Sequence, residues 1–169
     1  MTALNIVPEC YVDTRLAEIL AQSSKQIFHQ KGHGQVANKM LFKLKDQFAL
    51  GIIDKDTIKV RKSRYFSEFN DIRKENSLIL QKHFKLSHYL IIIDPAIEKW
   101  LLQNAEVSNI APDNLGNNLK DLLSFTKRQH IHRNIYFTEF IIKLINNHAP
   151  GIITLKTWIE KFLANDELI

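Results

Sequence analysis

The residues best suited to chemistry are acids placed directly after apolar runs. Phe48-Ala49-Leu50-Gly51-Ile52-Ile53 is followed by Asp54 and Asp56, with one residue between them. Side chains alternate along an extended chain, so both carboxylates point to the same side. Leu4-Asn5-Ile6-Val7-Pro8 leads into Glu9, with Asp13 a turn later, and Tyr89-Leu90-Ile91-Ile92-Ile93 leads into Asp94. Acids at strand ends commonly cap the next helix or face solvent. Gathered on one rim they would repel one another, and a hard cation would relieve that repulsion. Mg²⁺ uses one or two carboxylates plus waters and substrate phosphates, and Mn²⁺ accepts the same oxygen donors. An ion held this way polarises a phosphoryl oxygen or acidifies a bound water.

The elements that must position these acids follow from periodicity. Leu4–Pro8, Lys25–His29, Phe48–Asp54 and the run inside Leu86–Pro95 read as strands. Leu16, Ile19 and Leu20 recur at helical spacing, with Asp13 or Thr14 as the cap. Val36, Met40, Leu41 and Leu44 mark a second helix after a loop punctuated by Gly32 and Gly34. Ser77–Gln81 is either a strand or part of a helix starting near Glu68, and Ala96–Gln103 is a helix with Ile97, Trp100 and Leu101 inward. Strands alternating with helices predict an α/β fold with a mostly parallel, four-stranded sheet flanked by helices. Ligands of such sheets bind outside the carboxyl ends of the strands, where the acids fall.

Beyond residue 104 the chain becomes helical. Residues 104–118 read as a connection, Leu119, Leu122 and Leu123 as a short helix, and Ile135–Ile145 as a stronger one. Pro150-Gly151 reads as a break, and Thr154 as the cap of a last helix. The expected organisation is therefore an α/β core over residues 1–104 and a helical C-terminal extension over 105–169.

Composition narrows the partners. With 45% hydrophobic and 24% charged residues the chain is of ordinary globular type, and one cysteine rules out an internal disulfide or a cysteine-rich zinc site. No apolar run approaches the roughly 20 residues that span a bilayer, and the first residues show no basic region before an apolar core. The expectation is a cytoplasmic protein without membrane contact. Charge is uneven: residues 57–85 hold eight bases against three acids. Lys59, Arg61, Lys62 and Arg64, directly after the Asp-x-Asp pair, are either a solvated loop or a contact for a polyanion such as nucleic acid.

Ile6-Val7-Pro8-Glu9-Cys10-Tyr11-Val12-Asp13 together with Gly51-Ile52-Ile53-Asp54-Lys55-Asp56 resembles the Toprim domain of topoisomerases, bacterial primases and related nucleases. That domain carries a glutamate after its first strand and an Asp-x-Asp after a later one. The resemblance implies a Rossmann-like Toprim core and Mg²⁺-dependent phosphodiester chemistry. Glu9 takes the place of the general acid/base, Asp54 and Asp56 match the metal-binding aspartates, and Asp13 matches the accessory acid. Pro95-Ala96-Ile97-Glu98-Lys99-Trp100-Leu101 is similar to a stretch of small Toprim-like proteins linked to mobile elements and phage defence, which adds Glu98 to the implied metal set. Cys10 stands where a glycine is usual and Pro8 where a valine is usual, so the backbone that aims the carboxylates departs from the pattern.

Two functions are therefore expected. One is a Mg²⁺-dependent nuclease or phosphodiester-transfer protein acting on DNA or RNA. The other is a catalytically degenerate module of the same fold that binds nucleic acid or a partner effector protein, alone or as a homodimer. His29, Lys31 and His33 read as a loop or a phosphate contact, and Cys10 as a buried small hydrophobe without a nucleophile's partners.

Overall fold

A computed structural model of the chain describes residues 4–55, 64–115, 121, 124, 131 and 134–165. The strands are β1 (Leu4–Pro8), β2 (Phe48–Asp54), β3 (Phe69–Glu75), β4 (Leu78–His83) and β5 (His88–Ile93). They form one sheet in the order β1-β2-β5-β4-β3. β1, β2 and β5 are parallel, whereas β4 and β3 join antiparallel. The architecture is α/β, but the sheet is five-stranded and mixed, not four-stranded and mostly parallel.

Two local causes explain the difference. β3 and β4 form a hairpin through Asn76 and Ser77, whose φ angles of 49° and 58° are both left-handed, as a two-residue type I′ turn requires. β3 is an edge strand, exposed at every residue after Phe69, so it carries no apolar alternation. The expected strand at Lys25–His29 reaches β1 through a single parallel bridge, Ile6 with Ile27. This run lies along the outer edge of β1, with the Ile6 N–H donating to Gln26 O, the Phe28 N–H to Ile6 O and the Gln30 N–H to Pro8 O.

The helices are α1 (Tyr11–Ala21), α2 (His33–Asn38), α3 (Ile97–Val107), α4 (Ile135–Asn146) and α5 (Pro150–Leu163). A π-helical turn, Lys39–Lys43, continues α2. Alternation along the strands divides the core in two. Ile6, Leu50, Ile52, Ile91 and Ile93 pack with α1, α3, α4 and α5 on one face. Val7, Ala49, Ile53, Leu90 and Ile92 pack with α2, Tyr65, Phe66 and Phe69 on the other. β5 is buried throughout, which explains its unbroken apolar run. No helix among the described residues is long and apolar enough to cross a membrane.

Cys10, not Asp13 or Thr14, caps α1, its extended backbone (φ −141°) placing Sγ to accept from the Asp13 N–H. α4 ends before Pro150, as expected, but Pro150 also opens α5, because a first-turn residue needs no donor. Thr154 therefore lies inside the helix, where its Oγ1 accepts from Asn76 Nδ2 at 2.9 Å. The start of α5 is capped from α3: the Gly151 N–H donates to Asn104 Oδ1 at 2.7 Å, and Asn104 Nδ2 donates to Trp100 O at 2.9 Å. The expected helix at Leu119, Leu122 and Leu123 lies outside the described residues.

A Cβ at Gly151 would come within 2.8 Å of the Asn104 amide and Trp100 Cζ2. Gly151→Ala is expected to destabilise the fold by about 1–3 kcal/mol, as overpacking does. Urea denaturation should show a lower midpoint at unchanged slope, and a wild-type midpoint would refute so close a contact.

Candidate functional site

The acids meet where the chain changes direction. From β1 the path through α1 leads to the run around Ile27 on one side, and from there through α2 to β2 on the other. These two helices lie on opposite faces of the sheet. Connections that diverge this way leave a crevice at the carboxyl ends of the two strands. Glu9 directly follows β1, and Asp54 ends β2.

Glu9 is fixed by its own backbone and by its side chain. Its N–H donates to Ile52 O, and its carbonyl accepts from the Gly32 N–H, both at 3.0 Å. Its Oε2 accepts the Asp54 N–H at 3.0 Å, and Oε1 lies 4.0 Å from His33 Nδ1. Asp54 in turn accepts the Ile97 N–H through Oδ1 at 2.9 Å, so a carboxylate faces the first turn of α3. Glu98 stands in that same turn, partly buried.

Asp13 is the most enclosed of these acids, at 1% exposure. The Cys10 thiol donates to its Oδ2 at 3.0 Å, while its Oδ1 is buried and finds no hydrogen-bond partner. Burial raises its pKa well above the ordinary 3.8, and the charges of Asp54, Glu9 and Glu98 push in the same direction against the opposing thiol bond. Asp13 therefore feels three other predicted site acids at the crevice. Burial and the Asp13 carboxyl also push the Cys10 thiol up, which keeps it protonated and unsuited to nucleophilic attack. The thiol serves as a cap and a donor, a role the apolar reading of Cys10 did not contain.

Other expected residues fall elsewhere. Asp94 pairs with Lys55 at 2.6 Å. Arg64 is exposed and precedes the 3₁₀ turn Tyr65–Glu68. Asp56, Lys59, Arg61 and Lys62 lie outside the described residues. His33, read as a loop residue, opens α2 beside Glu9, and only the fold reveals that approach. His29 is stacked on Tyr11 at 4.0 Å and lies 3.1 Å from Thr14 Oγ1, with burial lowering its pKa.

Among the described residues, no group of three or more His, Cys, Asp or Glu side chains could by itself hold a metal ion. The chain matches no protein-family model, no curated protein and no solved structure. What the crevice offers is hard oxygen donors, among them the buried Asp13 Oδ1 without a hydrogen-bond partner, in a field that holds Asp13 protonated.

That field has a pH signature. Asp13 keeps its proton in the folded chain at pH values where the unfolded chain has lost it. Stability attributable to Asp13 therefore falls as pH rises above 3.8 toward its raised folded value. Asp13→Asn should be more stable than wild type at neutral pH, with the gap closing toward pH 3.8. Denaturation series of both proteins across that range test it, and a gap that does not change with pH would count against the raised pKa.

Proposed function

We propose that the chain acts on phosphodiester bonds of nucleic acid with the help of Mg²⁺, on a Toprim-like core. The observation that carries this reading is the meeting of Glu9 and Asp54 at the crevice between two parallel strands, with the unpaired Asp13 Oδ1 beneath them. These donors fit a hard cation. Mg²⁺ requires only one or two protein carboxylates, so the want of a three-residue group is compatible with it. Asp54 and Asp56 would hold the ion, with Glu9, Asp13 or Glu98 completing or supporting the set. Bound there, Mg²⁺ would polarise a phosphoryl oxygen and acidify a water.

The chain's own residues then have distinct tasks. Glu9 carries the proton, its position fixed by the Asp54 N–H and its charge faced by His33. Asp54 is aimed by the Ile97 N–H, so α3 sets the direction of its second oxygen. Asp13 keeps that end of the crevice polar without adding a full charge. The bases after Asp56 would neutralise the substrate backbone, as the sequence order suggests.

Asp54→Asn separates charge from architecture, because an amide oxygen still accepts the Ile97 N–H. It is expected to fold normally and to lose Mn²⁺ binding by calorimetry. Cleavage of labelled DNA or RNA oligonucleotides should fall at least about 10- to 100-fold, the loss seen when even a metal's outer support is removed. Undiminished cleavage by the variant would sink the assignment. A wild type that binds neither Mg²⁺ nor Mn²⁺ at millimolar concentration would favour the non-catalytic binding module.

A further inference from the structure

A second feature lies beside the crevice. Gln30, Gln35, Asn38, Lys39, Phe42 and Lys43 line a pocket of about 560 Å³ on the face that carries α2. Ligand pockets commonly measure about 300–1,000 Å³. Two ammonium groups, three carboxamides and one phenyl ring line it, with no carboxylate among the described residues. The surrounding chain has the same bias: Lys31 to Lys45 contains four lysines and no acid.

Phe42 is 70% exposed. It sits on the π-helical turn, where the Leu44 N–H donates to Lys39 O at 3.1 Å. Such turns are rare and concentrate at functional sites. Val36, Met40 and Leu44 take the buried side of this segment, which leaves Phe42 facing outward. Lys39 Nζ lies 4.6 Å from the centroid of the Phe28 ring, so its ammonium is held near the pocket wall. One lining residue, Gln30, is tied to the strand end that carries Glu9: its N–H donates to Pro8 O.

An outward ring with lysines and carboxamides matches one chemistry in particular. Bases stack on exposed aromatic rings, phosphates are neutralised by lysines, and carboxamides pair with base edges. A duplex keeps its base faces within the stack, so a free ring selects an unpaired strand. We propose that this pocket receives one nucleotide of a single-stranded nucleic acid, with its base on Phe42 and its phosphates on Lys39 and Lys43. The assignment rests on the phosphodiester reading of the neighbouring crevice for its purpose, but its binding is measurable without cleavage.

The test is fluorescence anisotropy of the full chain with a labelled oligothymidylate of about twelve nucleotides, without metal. Phe42→Ala is expected to weaken binding about tenfold, in line with the loss of one stacked base. Lys39→Ala with Lys43→Ala should lower the slope of log affinity against log salt by about 1.4, for two phosphate contacts on a single strand. Phe84→Ala, an exposed ring that does not line the pocket, should bind like wild type. Binding by the wild type without any cleavage of the oligonucleotide would count against the crevice chemistry alone. Equal affinity of wild type and Phe42→Ala, including no binding by either, would overturn this proposal whatever the outcome of the cleavage assay.

Discussion

The Glu9 carboxylate accepting the Asp54 N–H is the contact on which the crevice depends. It ties the end of β1 to the end of β2 just beyond the last ladder bond, where parallel strands would otherwise splay. Asp54 passes the connection on to α3 through Ile97, so three elements are registered by two charge-assisted hydrogen bonds. Bonds of this kind contribute about 1.5–3 kcal/mol each. They also bring carboxylates close to Asp13, whose burial above all, and then their charges, hold it in its neutral form. Order at the strand ends and a retained proton at Asp13 thus belong to one arrangement.

The two faces of the sheet are built differently. One carries four helices and most of the apolar core, with α3 and α5 locked together through Asn104 and Gly151. The other is thinner, covered by α2 with its π turn and by the aromatic group Tyr65, Phe66 and Phe69. There His88 is fully buried, with Nδ1 facing the Tyr65 hydroxyl at 2.6 Å and Nε2 facing Leu44 O at 3.0 Å. Because Leu44 closes the π turn, this buried pair braces the segment that presents Phe42. The first face is thus thickly covered and the second thinly.

How much of this was legible in the residues depended on whether burial left a pattern. β1, β2 and β5 are buried on both faces, so their apolar runs and terminal acids could be read directly. β3 has nothing to bury after Phe69 and was missed, and its turn rests on left-handed Asn76 and Ser77 without the glycine that usually signals one. At the site, Glu9, Asp13, Asp54 and Glu98 could be named from strand ends and resemblance. The roles of Cys10 and His33 could not, since a thiol cap looks like a small hydrophobe and His33 reaches Glu9 only across the fold. The start of the last helix was misplaced at Thr154, because the same ring that ends one helix is well suited to open another.

The exposed outer strand has a bearing on how copies of this chain behave toward one another. A bare sheet edge invites a strand from a second molecule, the first step toward fibres and swapped assemblies. On β3 that invitation is weakened by a register shift between Asp71 and Arg73 and by a dense row of opposite charges, with Lys74 2.7 Å from Asp71 and Arg73 3.7 Å from Glu75. At the opposite edge the run around Ile27 already occupies the backbone groups of Ile6 and Pro8. Neither margin is a clean template, so both borders disfavour pairing with a further strand, although the sheet never curls into a barrel.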